Sequence, residues 1–389
     1  MNKQLIALAL GGLGIGTTEF MIMGLLPDVA NDIDVAIPIA GHLISAYALG
    51  VVVGSPILVA LSAKFEPKNV LIVFMMLFTF FNALSSIAPD YNTLLMSRFF
   101  SGLPHGAFFG VGTVVAARLA PAGKSAQAIA AMFTGLTVAN LAMVPIVTFV
   151  GHHFHWRYAF GIVAFIGVIT IWALYRWIPQ LKPLRNVTFK EELEFFKTIK
   201  AWHILMIISI GFGGLFAWFS YIAPLLIHVS GFDVSSVSYL MVVAGAGMVV
   251  GNLIGGYLAD HYNPLKALIF LLSLMVVALV MVFLFSHIQI MSVILTFVCG
   301  ALAFSISSPV NIIMMQNAKN SEMLGAAFVQ SAFNVSNSLG AFVGGIPLFL
   351  GYSYIYPSLV GAFLALFGVI LCIVFFKKYN TQKNSKAKN

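Results

Sequence analysis

The chain has 389 residues, 60% of them hydrophobic and only 8% charged, with a mean hydropathy of +1.00. A soluble core of this length would need far more charge to cover its surface, so a water-soluble enzyme or binding domain is excluded. The net charge of +8 reflects topology and contact with anionic lipid, not nucleic-acid binding.

Twelve apolar runs of about 20 residues, the length that crosses the hydrocarbon, lie at roughly 5–28, 38–61, 68–88, 92–117, 126–150, 158–178, 203–227, 236–258, 265–286, 290–315, 324–349 and 355–376. The expected fold is all-α: a polytopic membrane protein of twelve transmembrane helices. The first run carries Glu19 and is too long for a signal-peptide core, so it is expected to remain as the first helix. Between the sixth and seventh runs, residues 179–201 form a charged linker. Within it Phe189, Leu193 and Phe196 share one helical face opposite Lys190, Glu191, Glu194 and Lys197. That pattern predicts either a short interfacial helix or a solvated tether. Residues 377–389 are expected to be a disordered tail.

The second half repeats the first. Gly50-Val51-Val52-Val53-Gly54 returns as Gly247-Met248-Val249-Val250-Gly251, Pro67 as Pro264, and Val138-Ala139-Asn140 as Val335-Ser336-Asn337, each 197 positions on. Two pseudo-symmetric six-helix bundles, 1–178 and 202–376, follow from this. Such repeats build alternating-access transporters. With both termini inside, every Lys and Arg except Arg98 and Arg157 falls on the cytoplasmic side, as the positive-inside rule requires. Cys299 and Cys372 lie in different spans, which argues against a structural disulfide. His152, His153 and His155 sit on a short outer loop without a nearby thiolate or carboxylate in sequence, a poor metal site.

Ionisable residues inside a span are costly and mark function. Glu19 in the first span lies roughly 12 Å below an outer end near Pro27, and Arg98 in the fourth roughly 10 Å below the same surface. The two meet if their helices face each other. His105 lies two turns from Arg98 on nearly the same face, with Ser101 and Phe109 beside that stripe. A carboxylate there can exchange protons, because burial and a nearby guanidinium act on it in opposite senses. Glu19, Arg98 and His105 are therefore the proton-coupling candidates; the alternative is a permanent buried pair that only fixes packing.

Substrate-binding candidates are the polar and aromatic residues within spans: Tyr47, Ser101, Phe109, Asn140, Trp218, Tyr221, Ser308, Asn334 and Asn337. Trp218 and Tyr221 are neighbours at i, i+3 and can stack on a ring. Asn140 and Asn337 occupy equivalent places in the repeat, as cavity-lining residues or inter-helix bonds would. Ser336, Gly340 and Gly344 form a small-residue stripe for close helix contact.

The chain resembles the major facilitator superfamily. Gly256-Tyr257-Leu258-Ala259-Asp260-His261 is similar to its cytoplasmic loop motif, Arg98 to Gly106 to the motif around an intramembrane Arg, and Trp156-Arg157 to the start of its sixth helix. Thr18-Glu19-Phe20, Gly24-Leu25-Leu26-Pro27, Ser101 to Gly110 and Phe216 to Tyr221 resemble the bacterial drug:proton antiporter branch, nearest to the AraJ-type, arabinose-inducible sugar exporters. The resemblance implies a bacterial inner-membrane protein that exports a small sugar or drug-like compound by proton antiport, with Glu19 and Arg98 at the family's coupling positions. Asp260, Lys64 and Arg118 take the places of its conformational latch. Two departures stand out. Ala63 and Val59 replace the acid and glycine of the first-half loop, and Val144-Pro145 is followed by Thr148-Phe149 instead of paired glycines.

The leading expectation is a proton-coupled exporter that works as a monomer without cofactor or metal. An uncoupled facilitator, or a nucleoside or amino-acid exporter, is the alternative within the fold. A membrane sensor would need a soluble domain, and no Gly-x-Ser-x-Gly, His-Glu-x-x-His or phosphate-binding loop suggests an enzyme.

Overall fold

Backbone amides in hydrocarbon find no water, so each apolar run must close its hydrogen bonds within itself. The computed structural model describes residues 3–62, 64–121, 125–182, 197–317 and 322–386. Among them the regular structure is entirely helical. The first six helices are α1 (Lys3–Asp32), α2 (His42–Ser62, after a single turn at Ile37–Ala40), α3 (Pro67–Ser86), α4 (Tyr91–Leu119), α5 (Ser125–Val138, Ala139–Met143 and Val144–His153) and α6 (Trp156–Trp177). The other six are α7 (Ile199–His228), α8 (Val237–His261), α9 (Pro264–Phe285), α10 (Gln289–Asn317), α11 (Glu322–Phe349) and α12 (Tyr356–Lys386). Among the described residues, eleven spans reach the length and hydropathy of a membrane crossing. α11 is long enough at 28 residues, and Gln330, Asn334, Asn337 and its serines hold its hydropathy down.

Local chemistry sets the helix starts. Pro67 and Pro264 open α3 and α9, where a missing N–H costs nothing. Asp90 caps α4 by accepting from Thr93 N at 2.9 Å, and these bonds hold its exposed carboxyl below the usual carboxylate range. Outward-facing Phe80, Phe165, Leu253 and Phe363 are exposed, as lipid-facing residues are.

Three expectations are corrected or left aside. α1 does not stop near Pro27 but runs through it to Asp32, because a proline's lost bond is tolerated in membrane helices. α12 continues past Phe376 to Lys386, and no Gly or Pro interrupts that stretch. The amphipathic linker segment falls on 183–196, outside the described residues.

The repeated glycines explain the repeat. On α2, a Cβ at Gly50 or Gly54 would lie 2.0 Å from Phe99 O or 2.1 Å from Leu103 O of α4. On α8, a Cβ at Gly247 or Gly251 would lie 2.2 Å from Phe297 O or 1.9 Å from Ala301 O of α10. Each half thus contains one helix pair packed backbone to backbone. The small stripe of α11 does the same against α7, with Gly340 and Gly344 against Ala217.

The halves meet along two helix pairs related by the repeat, α2 with α11 and α5 with α8. His42 stacks on Phe342 at 6.0 Å and Ser45 Oγ donates to Ser338 O at 3.2 Å. Phe20 of α1 meets Phe219 of α7 edge to face at 6.1 Å. These contacts lie toward the face opposite the chain termini, where the halves are closed on each other.

Gly54→Ala and Gly251→Ala should each destabilise the protein by about 1–3 kcal/mol through overpacking. Gly256→Ala, where nothing lies within 4 Å of the new Cβ, should be neutral or slightly stabilising. Thermal unfolding of the purified variants in one detergent checks all three.

Candidate functional site

Arg98 is fully buried on α4, and a guanidinium in hydrocarbon must find partners. Its Nη1 donates to Thr18 O at 3.1 Å and to Thr18 Oγ1 at 3.0 Å. Thr18 Oγ1 in turn donates to Asn82 Oδ1 of α3 at 2.6 Å, and Asn82 Nδ2 donates to Phe78 O at 2.8 Å. The guanidinium also lies over the rings of Tyr47, at 4.3 Å, and Phe160, at 5.7 Å. Its Nε and Nη2 have no hydrogen-bond partner.

Glu19 follows Thr18 on α1 and is buried. It lies within electrostatic reach of Arg98, as the depth argument expects, but no ion pair joins the two among the described residues. Arg98 is held by the residue beside Glu19. Two guanidinium nitrogens are left unpartnered in the same core as the carboxylate.

From this centre a polar path crosses between the halves. The Tyr47 hydroxyl of α2 lies 3.1 Å from His105 Nδ1, and Gln330 Nε2 of α11 lies 3.2 Å from His105 Nε2. With the amide so placed, Gln330 donates to Nε2, and the neutral imidazole donates from Nδ1 to the Tyr47 oxygen. Sequence reasoning missed Gln330. The available signal was its spacing of four and seven from Asn334 and Asn337, which puts all three on one face.

That face carries unspent hydrogen-bonding capacity. Asn337 is buried with neither amide atom partnered, and Asn334 donates to Gln330 O at 3.0 Å while its Oδ1 is unpartnered. Trp218 of α7 is buried with Nε1 unpartnered. Buried polar groups rarely stay unsatisfied, and these atoms have hydrogen-bonding capacity that the protein does not use.

Other candidates are engaged within the protein. Tyr221 Oη donates to Ala341 O at 2.8 Å, bracing α7 on α11. Ser101 Oγ donates to Arg98 O at 2.9 Å, and Phe109 stacks on Phe133 at 5.0 Å while its edge meets His105. Asn140 sits in a π-helical turn, Ala139–Met143, just before Pro145, and donates to Leu136 O at 3.0 Å. Its carbonyl lies against Gly245 of α8. The repeat therefore places Asn140 and Asn337 equivalently while their bonding differs. Ser308 is half-buried on α10. Of the latch residues, Lys64 is exposed, Arg118 Nη1 donates to Lys182 O at 2.8 Å, and the side chain of Asp260 lies outside the described residues.

The outer histidines do have carboxylates beside them. His152 Nδ1 lies 2.8 Å from Asp28 and His155 Nε2 3.3 Å from Asp32, both supplied by the end of α1. Asp32 also accepts from Trp156 Nε1 at 3.0 Å and pairs with Arg157, whose Nη2 donates to Ala88 O at 2.8 Å. Each pair staples α1 to α5 or α6.

A family model described as Major Facilitator Superfamily matches residues 8–345. The chain is 38% identical to "Putative transporter AraJ" of Escherichia coli (strain K12), covering 98% of this chain and 97% of that one. It is 40% identical to "Inner membrane transport protein YdhP" of the same strain, over 96% of each. Among solved structures, a bacterial homologue of the human lysosomal transporter Spinster, inward-facing and occupied, superposes with a TM-score of 0.76 at 14% identity, over 97% of each chain. Helix count, repeat, buried Arg and these likenesses agree: the chain belongs to the Major Facilitator Superfamily and is a multi-pass membrane transporter, not an enzyme.

Proposed function

We propose that this transporter exports a small neutral, hydroxyl-bearing organic solute across the bacterial inner membrane in exchange for protons, with Glu19 as the proton carrier. The observation that carries the reading is the placing of Arg98 and Glu19 in the N-terminal half. Arg98 is anchored on Thr18 with its Nε and Nη2 unpartnered, and Glu19 forms no ion pair with it among the described residues. Protonated Glu19 needs no counter-charge and leaves Arg98 on its anchor. Deprotonated Glu19 draws Arg98 toward it, and the rings stacked on Arg98 must adjust. Through Tyr47, His105 and Gln330, that adjustment reaches the other half.

The solute class follows from the other wall. Asn334, Asn337 and Trp218 offer neutral donors and acceptors beside aromatic rings, which suits hydroxyl groups on an otherwise apolar frame. The positive-inside pattern puts both termini in the cytoplasm, so the closed face is the outer one. An uncoupled facilitator is favoured only by Thr148-Phe149, which stand where paired glycines are expected.

In inside-out vesicles with an acidic interior, addition of a substrate polyol should let protons out and restore the signal of a pH-quenched dye. Glu19→Gln should abolish this response. Substrate uptake that continues after the gradient is collapsed, at an undiminished rate in Glu19→Gln, would establish the facilitator instead. Asn337→Leu should raise the half-saturating substrate concentration at least about tenfold, the equivalent of one lost hydrogen bond of about 1.4 kcal/mol. Its melting temperature should stay the same or rise, because two unsatisfied polar atoms leave the interior. Saturation kinetics and a melting curve on the same preparation test both expectations.

A further inference from the structure

Asn82 of α3 is fully buried and ends the hydrogen-bond chain that starts at Arg98. The chain runs in one direction only. Phe78 O can only accept, so it takes the Asn82 amide N–H and turns Oδ1 toward α1. Oδ1 can only accept, so it takes the single proton of the Thr18 hydroxyl. The Thr18 oxygen is left with lone pairs alone, and those face Arg98 Nη1.

Without Asn82 the Thr18 proton has another destination. Thr17, one residue earlier, donates to the carbonyl four residues back, Leu13 O, at 2.6 Å, the ordinary arrangement for a helical threonine. Thr18 in that state would turn its hydroxyl along α1 and away from Arg98. Arg98 Nη1 would then keep only the Thr18 carbonyl, and its unpartnered Nε and Nη2 would be free to turn toward the Glu19 carboxylate within their electrostatic reach.

We propose that Asn82, acting through Thr18, is a positioning residue that keeps Arg98 parked and so prevents a permanent Glu19–Arg98 pair. The inference rests on the proton-carrying role of Glu19 proposed above. The titratable or charged groups acting on Glu19 are Arg98 from α4 and Tyr47 from α2, with His105 of α4 behind Tyr47. The other packed helices bring neutral groups to this core: Asn82 from α3, Phe160 from α6, Phe219 from α7 and Gln330 from α11. Arg98 is the one group there that carries a fixed charge, so its position governs how readily Glu19 takes a proton.

The test follows the protonated-carboxyl infrared band of Glu19 against pH in the purified, lipid-reconstituted protein. The band is assigned by its loss in Glu19→Gln. Wild type and Thr18→Ser, which keeps the hydroxyl, should titrate together. Asn82→Leu and the isosteric Thr18→Val should both move the midpoint to lower pH by about one unit or more, the scale of an opposite charge brought into contact. Thr18→Val carries the test if Asn82→Leu fails to fold. A lower melting temperature with an unmoved midpoint would mean a purely structural role and would overturn the proposal while leaving the coupling reading intact. A Glu19 that never titrates between about pH 4 and 10 in any of these chains would overturn both.

Discussion

A guanidinium buried in the middle of a membrane protein has to be held from several sides at once, and the N-terminal half is arranged to do so. Arg98 on α4 draws a carbonyl and hydroxyl from α1, a supporting amide from α3, and ring faces from α2 and α6. Five of the six helices in that half thus converge on one charge. The satisfaction is incomplete, since two nitrogens have no partner. In a medium where an unpaired charge is expensive, that incompleteness is the source of a movable part. The opposing wall carries neutral amides and an indole instead. The buried charge thus lies in one half and the unpartnered amides and indole in the other.

The same chain is stiff within halves and loose between them. Gly50, Gly54, Gly247 and Gly251 bring helix backbones together so closely that no methyl group fits, and packing of that kind resists sliding. Among the described residues the polar contacts between halves are few and single: one serine on a carbonyl, one glutamine on a histidine. Each is worth on the order of 1 kcal/mol, weak enough to break and reform. The π-helical turn before Pro145 falls on the α5–α8 seam, the kind of irregularity that recurs at moving or functional places. Rigid bundles with a weak, repeat-related seam suit rocking about a central site.

Much of this was legible in the residues themselves. Apolar run length marks the spans, and the offset copies of glycine and proline mark the two halves. The price of charge in hydrocarbon picks out Glu19 and Arg98 directly. What stayed hidden depends on long-range pairing. Thr18 and Asn82 are unremarkable in a membrane helix, and only the fold brings them together across 64 positions. Tyr221 reads as a ligand contact from its neighbours in sequence, while its bond to Ala341 O of another helix is visible only in the fold. His152 and His155 read as unsupported until the prolonged α1 delivers Asp28 and Asp32. That prolongation was itself obscured by Pro27, which ends helices in water more reliably than in lipid.

The central claim is that the charge state of Glu19 biases how the two halves sit. Spin labels at Ile87, after α3, and Tyr352, after α11, both exposed on the closed face, report the separation of the halves by pulsed electron resonance. The wild-type distance distribution should shift between two populations as pH is changed, and Glu19→Gln should hold one population throughout. A distribution independent of pH in wild type, or one that still shifts in Glu19→Gln, would contradict the account.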